Sequence, residues 1–317
     1  MIKNPPIIKK VVKQMGGEIE KVIPERGYFY IKIKGKRILT TRKFKIASNL
    51  IVGEETTKFK DLTYLLLKKH NLPTPKTVCF YRKIAEKELN KKLGSLKYPI
   101  IIKDAEGSQS IGIFPDISLK KEAKKILKRE IKKIPKLIAQ EMVSGKEYRL
   151  TVLGNKVLGA LRLIPPRVFG DGKNNVEELI KKKQRKTPRK TPFDANLIKL
   201  LKEQGHALRS IPKNGEIVYL RKNSSLNEGG ETEDVTSSVH KETVRICVQA
   251  AKATWKYLVG IDVMCDDITR DPKKQNFNII EINGKTDIYL HYNPTRGKTR
   301  NVVKDIISFI LKLKNIE

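Results

Sequence analysis

The chain has 317 residues, 39% of them hydrophobic, and a formal net charge of +33 at pH 7. This length can bury a good core and hold two or three subdomains, and the composition excludes a chain that is disordered throughout. No apolar run is long enough for a transmembrane helix, the start lacks a signal-peptide core, and three scattered cysteines favour neither a disulfide framework nor a zinc site. We expect a cytoplasmic protein that does not bind membranes, with Cys247 and Cys265 as small core residues.

The first elements of the chain predict a small opening segment over residues 1–55. Within it, strands are expected at Tyr28–Ile33 and Arg37–Thr41, turned by Lys34–Lys36. A short amphipathic helix over Phe59–His70 follows, and the prolines of Asn71-Leu-Pro-Thr-Pro end it. The next predicted elements are a buried strand at Tyr98–Lys103 and a basic helix at Leu119–Ile134.

The remaining elements alternate between strand and helix patterns. Strands are predicted at Lys136–Met142, Tyr148–Gly154, Lys156–Ile164 and Glu216–Arg221; helices are predicted at Asn174–Lys183, Asp194–Gln204, Glu242–Tyr257 and Asn301–Leu313. Trp255 is expected in the core, on the apolar side of the third of these helices. This order favours an α+β fold with antiparallel sheets.

The positive charge is open to two interpretations. It would attract nucleic acid, acidic membranes or anionic substrates, but the lysines are spread over nearly every segment, as a lysine-rich composition would give. The one dense cluster, KKKQRKTPRK at Lys181–Lys190, is either a solvated loop or an electropositive cover for an anionic substrate.

The segment Val259–Asn283 contains two apolar runs that carry acids and are joined by a polar stretch. Glu281 and Asn283 are two residues apart, so on a strand they share a face. A hairpin turning near Asp271–Pro272 would bring Asp262 opposite Glu281. Hard cations prefer such oxygen ligands, whereas a hairpin with acids facing water is the alternative.

A second candidate site lies where Lys103 ends a strand and a run of small residues follows. Gly107, Ser108, Ser110 and Gly112 would let the backbone approach phosphate oxygens, and Lys103 would add a positive charge. The loop is expected to join two strands, so it differs from the strand-to-helix P-loop.

Other polar residues in apolar surroundings are further candidates. The crossing at Glu141, Met142 and Val143 could offer backbone groups to a purine, and Glu147 could accept from a ribose hydroxyl. Three arginines sit in apolar strand patterns and indicate either one shared anionic centre or three separate ion pairs; they are Arg149, Arg162 and Arg221.

Taken in order, these pieces resemble the ATP-grasp superfamily, and most closely the ATP-grasp module of cyanophycin synthetases and of bifunctional glutathione synthetases. The resemblance covers roughly residues 56–303 and is carried by FKDLTYLLLKKHNLPTP, YPIIIKDAEGSQSIGI, EMVSGKEYRLTVLGNKVLGALRLIPP, RVFGDGKNNVEELI, VYLRKNSSLNEGGETEDVTSSVH, GIDVMCDDI and IIEINGKTDIYLHYNPTRGKTRNVV. It implies an ATP-dependent ligase that forms an amide or peptide bond through an acyl phosphate. It also implies two α+β subdomains clasping ATP between antiparallel sheets, here 56–140 with the glycine loop and 141–317 with the metal and substrate sites.

The resemblance also implies roles for individual residues. Lys60 and Lys103 would contact nucleotide phosphates beside the glycine loop Gly107–Gly112, Glu141 to Val143 would line the adenine, and Glu147 would hold the ribose. Magnesium, or manganese, would be bound by Asp262, Glu281 and Asn283. Arg221 and Asn223 would stabilise the acyl phosphate beside the turn Gly229-Gly230. The substrate candidates are Arg149, Arg162, Gly229, Gly230 and His291.

Two departures from the family pattern concern the substrate. Asn227-Glu228 stands where the family has Ser-Thr, and Gly284-Lys285-Thr286-Asp287 stands where Ala-Pro-Gly is usual. The Mur-ligase-like half and the long N-terminal domain of cyanophycin synthetases are not found in this sequence, so we expect a stand-alone module acting on an amino acid or acidic peptide. The alternatives are a glutathione-synthetase-like small-peptide ligase, a non-catalytic nucleotide-binding domain and a basic nucleic-acid-binding protein.

Overall fold

The computed structural model describes residues 5–23, 28–41, 51–82, 84–107, 112–185 and 190–312. They form two compact units: the first contains 1–160, 236–292 and 300–317, and the second contains 161–235 and 293–299.

The helices and strands are numbered in chain order. The helices are α1 Pro5–Gln14, α2 Ile51–Lys58, α3 Lys60–Lys69, α4 Glu86–Gly94, α5 Lys120–Glu130, α6 Val176–Arg185, α7 Ala195–Glu203, α8 Lys241–Ala253 and α9 Val302–Lys312. The strands are β1 Glu18–Ile23, β2 Tyr28–Ile33, β3 Lys36–Thr41, β4 Thr77–Tyr81, β5 Ile100–Asp104, β6 Ile113–Ile117, β7 Lys136–Glu141, β8 Lys146–Leu153, β9 Lys156–Ile164, β10 Arg167–Phe169, β11 Ile217–Tyr219, β12 Glu231–Asp234, β13 Leu258–Cys265 and β14 Phe277–Asn283.

The first unit contains three sheets. The antiparallel sheet β1-β2-β3 shares one hydrophobic cluster with α1 and α9, represented by Ile8, Ile31 and Ile306. A second antiparallel sheet has the order β4-β7-β5-β6, and its apolar side chains pack with those of α4 and α5. The third sheet runs β9-β8-β13-β14 and carries the predicted acid hairpin.

The second unit begins within β9. The last residues of β9 pair antiparallel with β12, from Leu161 opposite Asp234 to Ile164 opposite Glu231. A two-stranded ribbon of β10 and β11 packs Val168 and Val218 against apolar residues of α6 and α7. This small core explains why the amphipathic patterns of the two helices were visible in the sequence.

Most predicted elements are confirmed within a few residues, including the β2–β3 hairpin, α3, the run from β7 to β9 and α9. The α+β class with antiparallel sheets is confirmed, as is the burial of Cys247 and Cys265. Trp255 was expected in the core, and this is wrong, because α8 ends at Ala253 and the indole is 62% exposed. No helix in the described part of the chain is both long and apolar enough to cross a bilayer.

Candidate active site

A β-bulge turns Glu281 toward the candidate site. Asp262 lies opposite Glu281, but the next residue of β13, Val263, lies opposite Ile279, so Ile280 is an extra residue on β14. Because strand side chains alternate between faces, one inserted residue moves every later side chain to the other face. Glu281 and Asn283 thus leave the core face that Ile279 occupies, and the predicted opposition of Asp262 and Glu281 is confirmed.

Three polar side chains form one row across three neighbouring strands. Asp262 of β13 has Arg149 of β8 opposite it on one side and Glu281 of β14 on the other. Arg149 donates from Nε to Oδ1 of Asp262 at 2.6 Å and from Nη2 to Oδ2 at 2.7 Å. Asp262 is only 3% exposed, and this bidentate pair compensates its buried charge.

Asn283 completes the cluster from the next position on the same face. Its Nδ2 donates to Oδ2 of Asp262 at 2.9 Å, so the Oδ1 atom of the same amide is an acceptor that this bond does not use. The neighbouring row pairs Gly260 with both Thr151 and Asn283. Gly260 has no room for a side chain, because a Cβ atom there would lie 2.3 Å from Oγ1 of Thr286.

Glu281 has a weaker partner than Asp262. Its Oε1 lies 3.8 Å from Nζ of Lys60, an ion pair too long for a hydrogen bond. Although 42% of the side chain surface is exposed, burial by surrounding protein raises the pKa of Glu281, and the charge of Asp262 raises it further. A further positive charge beside Glu281 would stabilise its ionised form and so oppose the effects of burial and of Asp262 on the pKa.

The two predicted phosphate lysines belong to the same neighbourhood. Nζ of Lys103 donates to Oε1 of Gln140 at 3.1 Å, and Gln140 in turn donates to Oγ1 of Thr77 at 2.9 Å. Burial lowers the pKa of Lys103, whereas attraction to Glu281 acts in the opposite direction. An anionic ligand would favour the charged amine and offset that desolvation.

The start of the glycine loop is tied to α3 through Lys60. The backbone amide of Lys60 donates to the Ala105 carbonyl at 2.9 Å, and its Nζ donates to the Gly107 carbonyl. The loop joins β5 to the antiparallel β6, as predicted. Gly112 adopts a φ of +71°, and Ser108 and Ser110 lie outside the described residues.

The segment predicted to line adenine begins at Glu141, the last residue of β7. Lys76 accepts a backbone hydrogen bond from Glu141 at 2.9 Å, and Pro99 accepts one from Met142 at 3.1 Å. The carboxylate of Glu141 accepts from the Lys97 amide at 2.8 Å, so this side chain stabilises the local backbone. Val143 makes no hydrogen bond to the residues that the structure describes, and its amide is the donor here that a purine could use.

Glu147 and His291 lie around the same sheet face. Glu147 precedes Arg149 by two residues on β8 and therefore points to the same side of the sheet. His291 is buried, and its Nε2 lies 2.8 Å from Oγ1 of Thr151. Gly159 packs against the imidazole so closely that a Cβ atom there would lie 2.5 Å from Nδ1.

The predicted acyl-phosphate residues lie in the second unit. Arg221 is buried and donates to three acceptors besides its neighbour Leu220: Oε1 of Glu228 at 2.8 Å, Oδ2 of Asp194 at 2.8 Å and the Pro192 carbonyl at 3.1 Å. Glu228, one of the departures from the family pattern, is thus a direct partner of Arg221.

The turn beside Arg221 is tightly packed. Oδ1 of Asn223 accepts from the Ser225 amide at 3.2 Å, and Gly229 adopts a φ of +94°. A Cβ atom on Gly230 would lie 2.7 Å from the Ser224 carbonyl oxygen and 2.9 Å from that of Ser225. The two glycines are therefore required by the shape of this turn.

The three candidate arginines each have their own acidic partner. Arg149 pairs with Asp262, Arg221 pairs with Asp194 and Glu228, and Nη1 of Arg162 lies 3.6 Å from Oε2 of Glu233. Of the two interpretations offered by the sequence, separate ion pairs describe these contacts.

The cluster in the first unit fits a magnesium ion only if a bound phosphate supplies some of the ligands. Among the described residues, no three His, Cys, Asp or Glu side chains are grouped as metal ligands. Glu281, with its raised pKa and weak ion pair, and the Oδ1 atom of Asn283 supply oxygen donors. Oδ1 of Asp262 keeps a lone pair beyond the one used by Arg149, whereas Oδ2 accepts from both Arg149 and Asn283. The remaining ligands of a hard cation would be phosphate oxygens and water.

Several residues that support this cluster were not among the candidates predicted from the sequence. Gln140 and Thr77 orient Lys103, and Thr151 holds His291. The polar character of Gln140 and Thr151 inside apolar strands was the available signal, since buried polar side chains need partners.

Comparison with known proteins places these features in context. The family model for the D-ala D-ala ligase C-terminus matches residues 66–184. A glutathione biosynthesis bifunctional protein of Clostridium perfringens is 31% identical over 262 residues, covering 79% of this chain and 33% of its own length. A cyanophycin synthetase of Crocosphaera subtropica is 30% identical over 273 residues, covering 82% of this chain and 31% of its own length. The chain thus spans about a third of the length of these curated relatives.

A solved structure extends the likeness to the fold. The bifunctional glutathione synthetase of Pasteurella multocida superposes with a TM-score of 0.73 at 23% identity, over 96% of this chain and 43% of the other. The fold assignment therefore rests on nearly the whole chain.

Proposed function

The chain belongs to the ATP-grasp superfamily, and from this premise we propose that it is an ATP-dependent ligase joining a carboxylate to an amine. The observation that carries the proposal is the row formed by Arg149, Asp262 and Glu281. Lys60 lies beside Glu281, and the charged amine of Lys103 is attracted to Glu281. Arg149 neutralises the charge of Asp262, whereas the charge of Glu281 is only partly neutralised. Together with the amines of Lys60 and Lys103, these acids form a site that favours a polyphosphate and the cation bound to it.

In the proposed reaction, a carboxylate oxygen attacks the γ-phosphorus of ATP and ADP leaves. The amine nitrogen of the second substrate then attacks the acyl carbon, phosphate leaves, and the nitrogen loses a proton to give the amide. Phosphoryl transfer of this kind depends mainly on positioning and charge neutralisation.

The candidate site residues of the first unit each have a proposed role in this reaction. Lys60 and Lys103 donate to phosphate oxygens, and the lowered pKa of Lys103 returns toward its usual value when phosphate is bound. The amide of Val143 donates to the adenine, and Glu147 accepts from the ribose. A bound Mg²⁺, held by Asp262, Glu281 and Asn283, would neutralise phosphate charge.

In the second unit, the proposed roles of Arg221 and Asn223 concern the acyl phosphate. Arg221 would contribute its charge while it remains paired with Asp194 and Glu228. The rigid turn at Gly229-Gly230 would present backbone amides to the same group. Arg162 and His291 remain proposed substrate contacts.

The acyl phosphate can be tested by trapping. Hydroxylamine added with Mg-ATP and a candidate carboxylate should give a hydroxamate together with ADP, because hydroxylamine intercepts acyl phosphates. The Glu281→Ala variant is the background control. ADP and amide formed without any hydroxamate would count against a released or accessible acyl phosphate.

We further propose that the acyl substrate is an acidic amino acid or peptide. The cations of α6, Lys181 and Lys182, lie on exposed positions, and the chain as a whole is strongly positive. Acidic substrates should be preferred at low salt, and the preference should decrease as salt screens the charges. Faster turnover of neutral substrates at low salt would contradict this proposal.

A glutathione-synthetase-like activity is the second candidate, supported by the relative from Clostridium perfringens. It differs from the first candidate in its product, a small thiol peptide. Turnover of γ-glutamyl-cysteine with glycine, without turnover of longer acidic peptides, would favour it.

A further inference from the structure

Trp255 breaks two local preferences at once. It is the only tryptophan of the chain and is 62% exposed, although tryptophan is usually well buried. It also adopts a φ of +55°, a left-handed conformation that is a genuine outlier for a bulky residue. Residues that break such rules without a compensating contact are expected at functional positions.

The cause of the conformation is the end of α8. The Trp255 amide donates to the Lys252 carbonyl at 3.0 Å, and the Lys256 amide donates to the Ala251 carbonyl at 3.4 Å. This is the pattern of a Schellman motif, whose left-handed position is usually a glycine. The backbone therefore explains the geometry, but it does not explain why an exposed indole stands there.

A cavity of about 340 Å³ lies beside the indole. Its lining contains an aromatic ring, a lysine, an imidazole, an amide and a methyl group, contributed by Trp255, Lys252, His70, Gln249 and Ala253. The volume falls in the range of small-ligand sites, about 300–1,000 Å³. Among the residues that the structure describes, no carboxylate contributes to this lining.

Further positive charge comes from the residues just before His70. Lys68 and Lys69 are exposed on the last turn of α3, and the next residue is the cavity residue His70, the C-cap of this helix. The carboxyl ends of α3 and α8 carry partial negative charge, and these lysines together with Lys252 offset it. An exposed aromatic face bordered by cations is the arrangement with which proteins bind unpaired nucleotides.

We propose that this surface, formed by Trp255, Gln249, Lys252 and the α3 end Lys68–His70, binds single-stranded nucleic acid. One base stacks on the indole of Trp255, the amide of Gln249 contacts its edge, and the lysines neutralise flanking phosphates. A duplex keeps its bases stacked on each other and cannot use the indole face. An acidic polypeptide would use the lysines but has no planar group for the indole. The net charge of +33 increases the rate of encounter.

The test measures anisotropy of a labelled 12-nucleotide oligo(dT) at about 0.1 M salt with the full chain. Trp255→Gly removes the ring and places the residue that the backbone prefers, so the fold is retained. Its affinity should fall by about 5- to 150-fold, the usual effect of removing a stacking aromatic. Trp255→Phe should lose less affinity than Trp255→Gly, because it keeps an aromatic ring for stacking. Lys252→Glu should weaken binding more than the control Lys125→Glu, because Lys125 is also exposed but lies on α5.

The intrinsic fluorescence of the wild-type chain gives a second readout, because Trp255 is its only tryptophan. Oligo(dT) should quench this emission, whereas a 12-base-pair duplex or polyglutamate should not. Unchanged affinity in Trp255→Gly would overturn the proposal, as would equal quenching by duplex or polyglutamate. Quenching of Trp255 by free dTMP at the concentrations at which the oligonucleotide quenches it would also overturn the proposal, because the flanking phosphates would then contribute nothing.

Discussion

Arg149 and Asp262 face each other on β8 and β13 and share two hydrogen bonds of 2.6 and 2.7 Å. The pair compensates one of the two carboxylates at the candidate site, and Glu281 has only the longer contact with Lys60. This asymmetry leaves Glu281 as the acid that most needs a cation, which is consistent with a site for a metal-bound polyphosphate.

Replacing Arg149 by Met should strongly destabilise the fold. The change leaves the buried Asp262 carboxylate without its partner, and breaking such a pair costs about 3–5 kcal/mol. The free energy of unfolding in urea measures this. The control is Arg245→Met, which removes an exposed bidentate pair with Glu242 and should destabilise the fold far less, because solvent screens exposed pairs. Equal losses in the two variants would contradict the buried pairing.

Replacing Glu281 by Gln should stabilise the fold at neutral pH. The pKa of Glu281 is raised in the folded state, so its contribution to stability is fully present below the unfolded pKa of about 4.3 and is lost as pH rises through the folded pKa. The side chain of the Gln variant does not ionise, so the variant does not lose this stability as pH rises. Urea unfolding from pH 4 to pH 8 should show a difference in favour of the variant that grows with pH. A difference that is absent at neutral pH, or that matches the exposed control Glu122→Gln, would contradict the prediction.

Replacing Lys103 by Met should weaken ATP binding. A hydrogen bond to a charged group contributes about 1.5–3 kcal/mol, so the dissociation constant should rise by about 10- to 150-fold. Titration calorimetry with Mg-ATP measures it, with Lys125→Met on the exposed face of α5 as the control. A rise of less than about twofold in the dissociation constant would be too small for the loss of a charged hydrogen bond. That result would exclude Lys103 from the proposed phosphate contacts.

Replacing Gly230 by Ala should reduce turnover. The new Cβ atom would lie 2.7 Å from a backbone oxygen of Ser224, so the turn beside Arg221 must shift. A shift of about 1 Å at a reacting centre can lower kcat by about 100-fold. Gly215→Ala is the control for a substitution without crowding, because no atom lies within 4 Å of the new Cβ atom, although Gly215 has a positive φ of +79°. Comparable kcat values for the two variants would show that the shape of this turn does not affect the reaction.

The fold was largely predictable because local patterns are strong in this chain. The helices α3, α6, α7 and α9 have amphipathic periodicity, and the pairs β2–β3 and β13–β14 are close in sequence. The opposition of Asp262 and Glu281 followed from the length of the connecting segment. The bulge at Ile280 did not, because an extra residue in a strand has no separate sequence signal.

Long-range relationships were not predictable from one sequence. The partners Arg149 and Asp262 are 113 residues apart, and the choice between shared and separate ion pairs depends on strand pairing. Trp255 shows a different failure. Its apolar character fitted the helical pattern of α8, but the helix ends two residues earlier and the tryptophan occupies the position of a capping glycine.

The central claim is ATP-dependent ligation, and ADP release with Mg-ATP tests it most directly. The assay would use a panel of amino acids, dipeptides, polyglutamate and polyaspartate, with Glu281→Ala as the background control. The account predicts ADP release that depends on an acidic substrate and is absent in the control. ADP release that is equal with and without every substrate, or unchanged in Glu281→Ala, would contradict it.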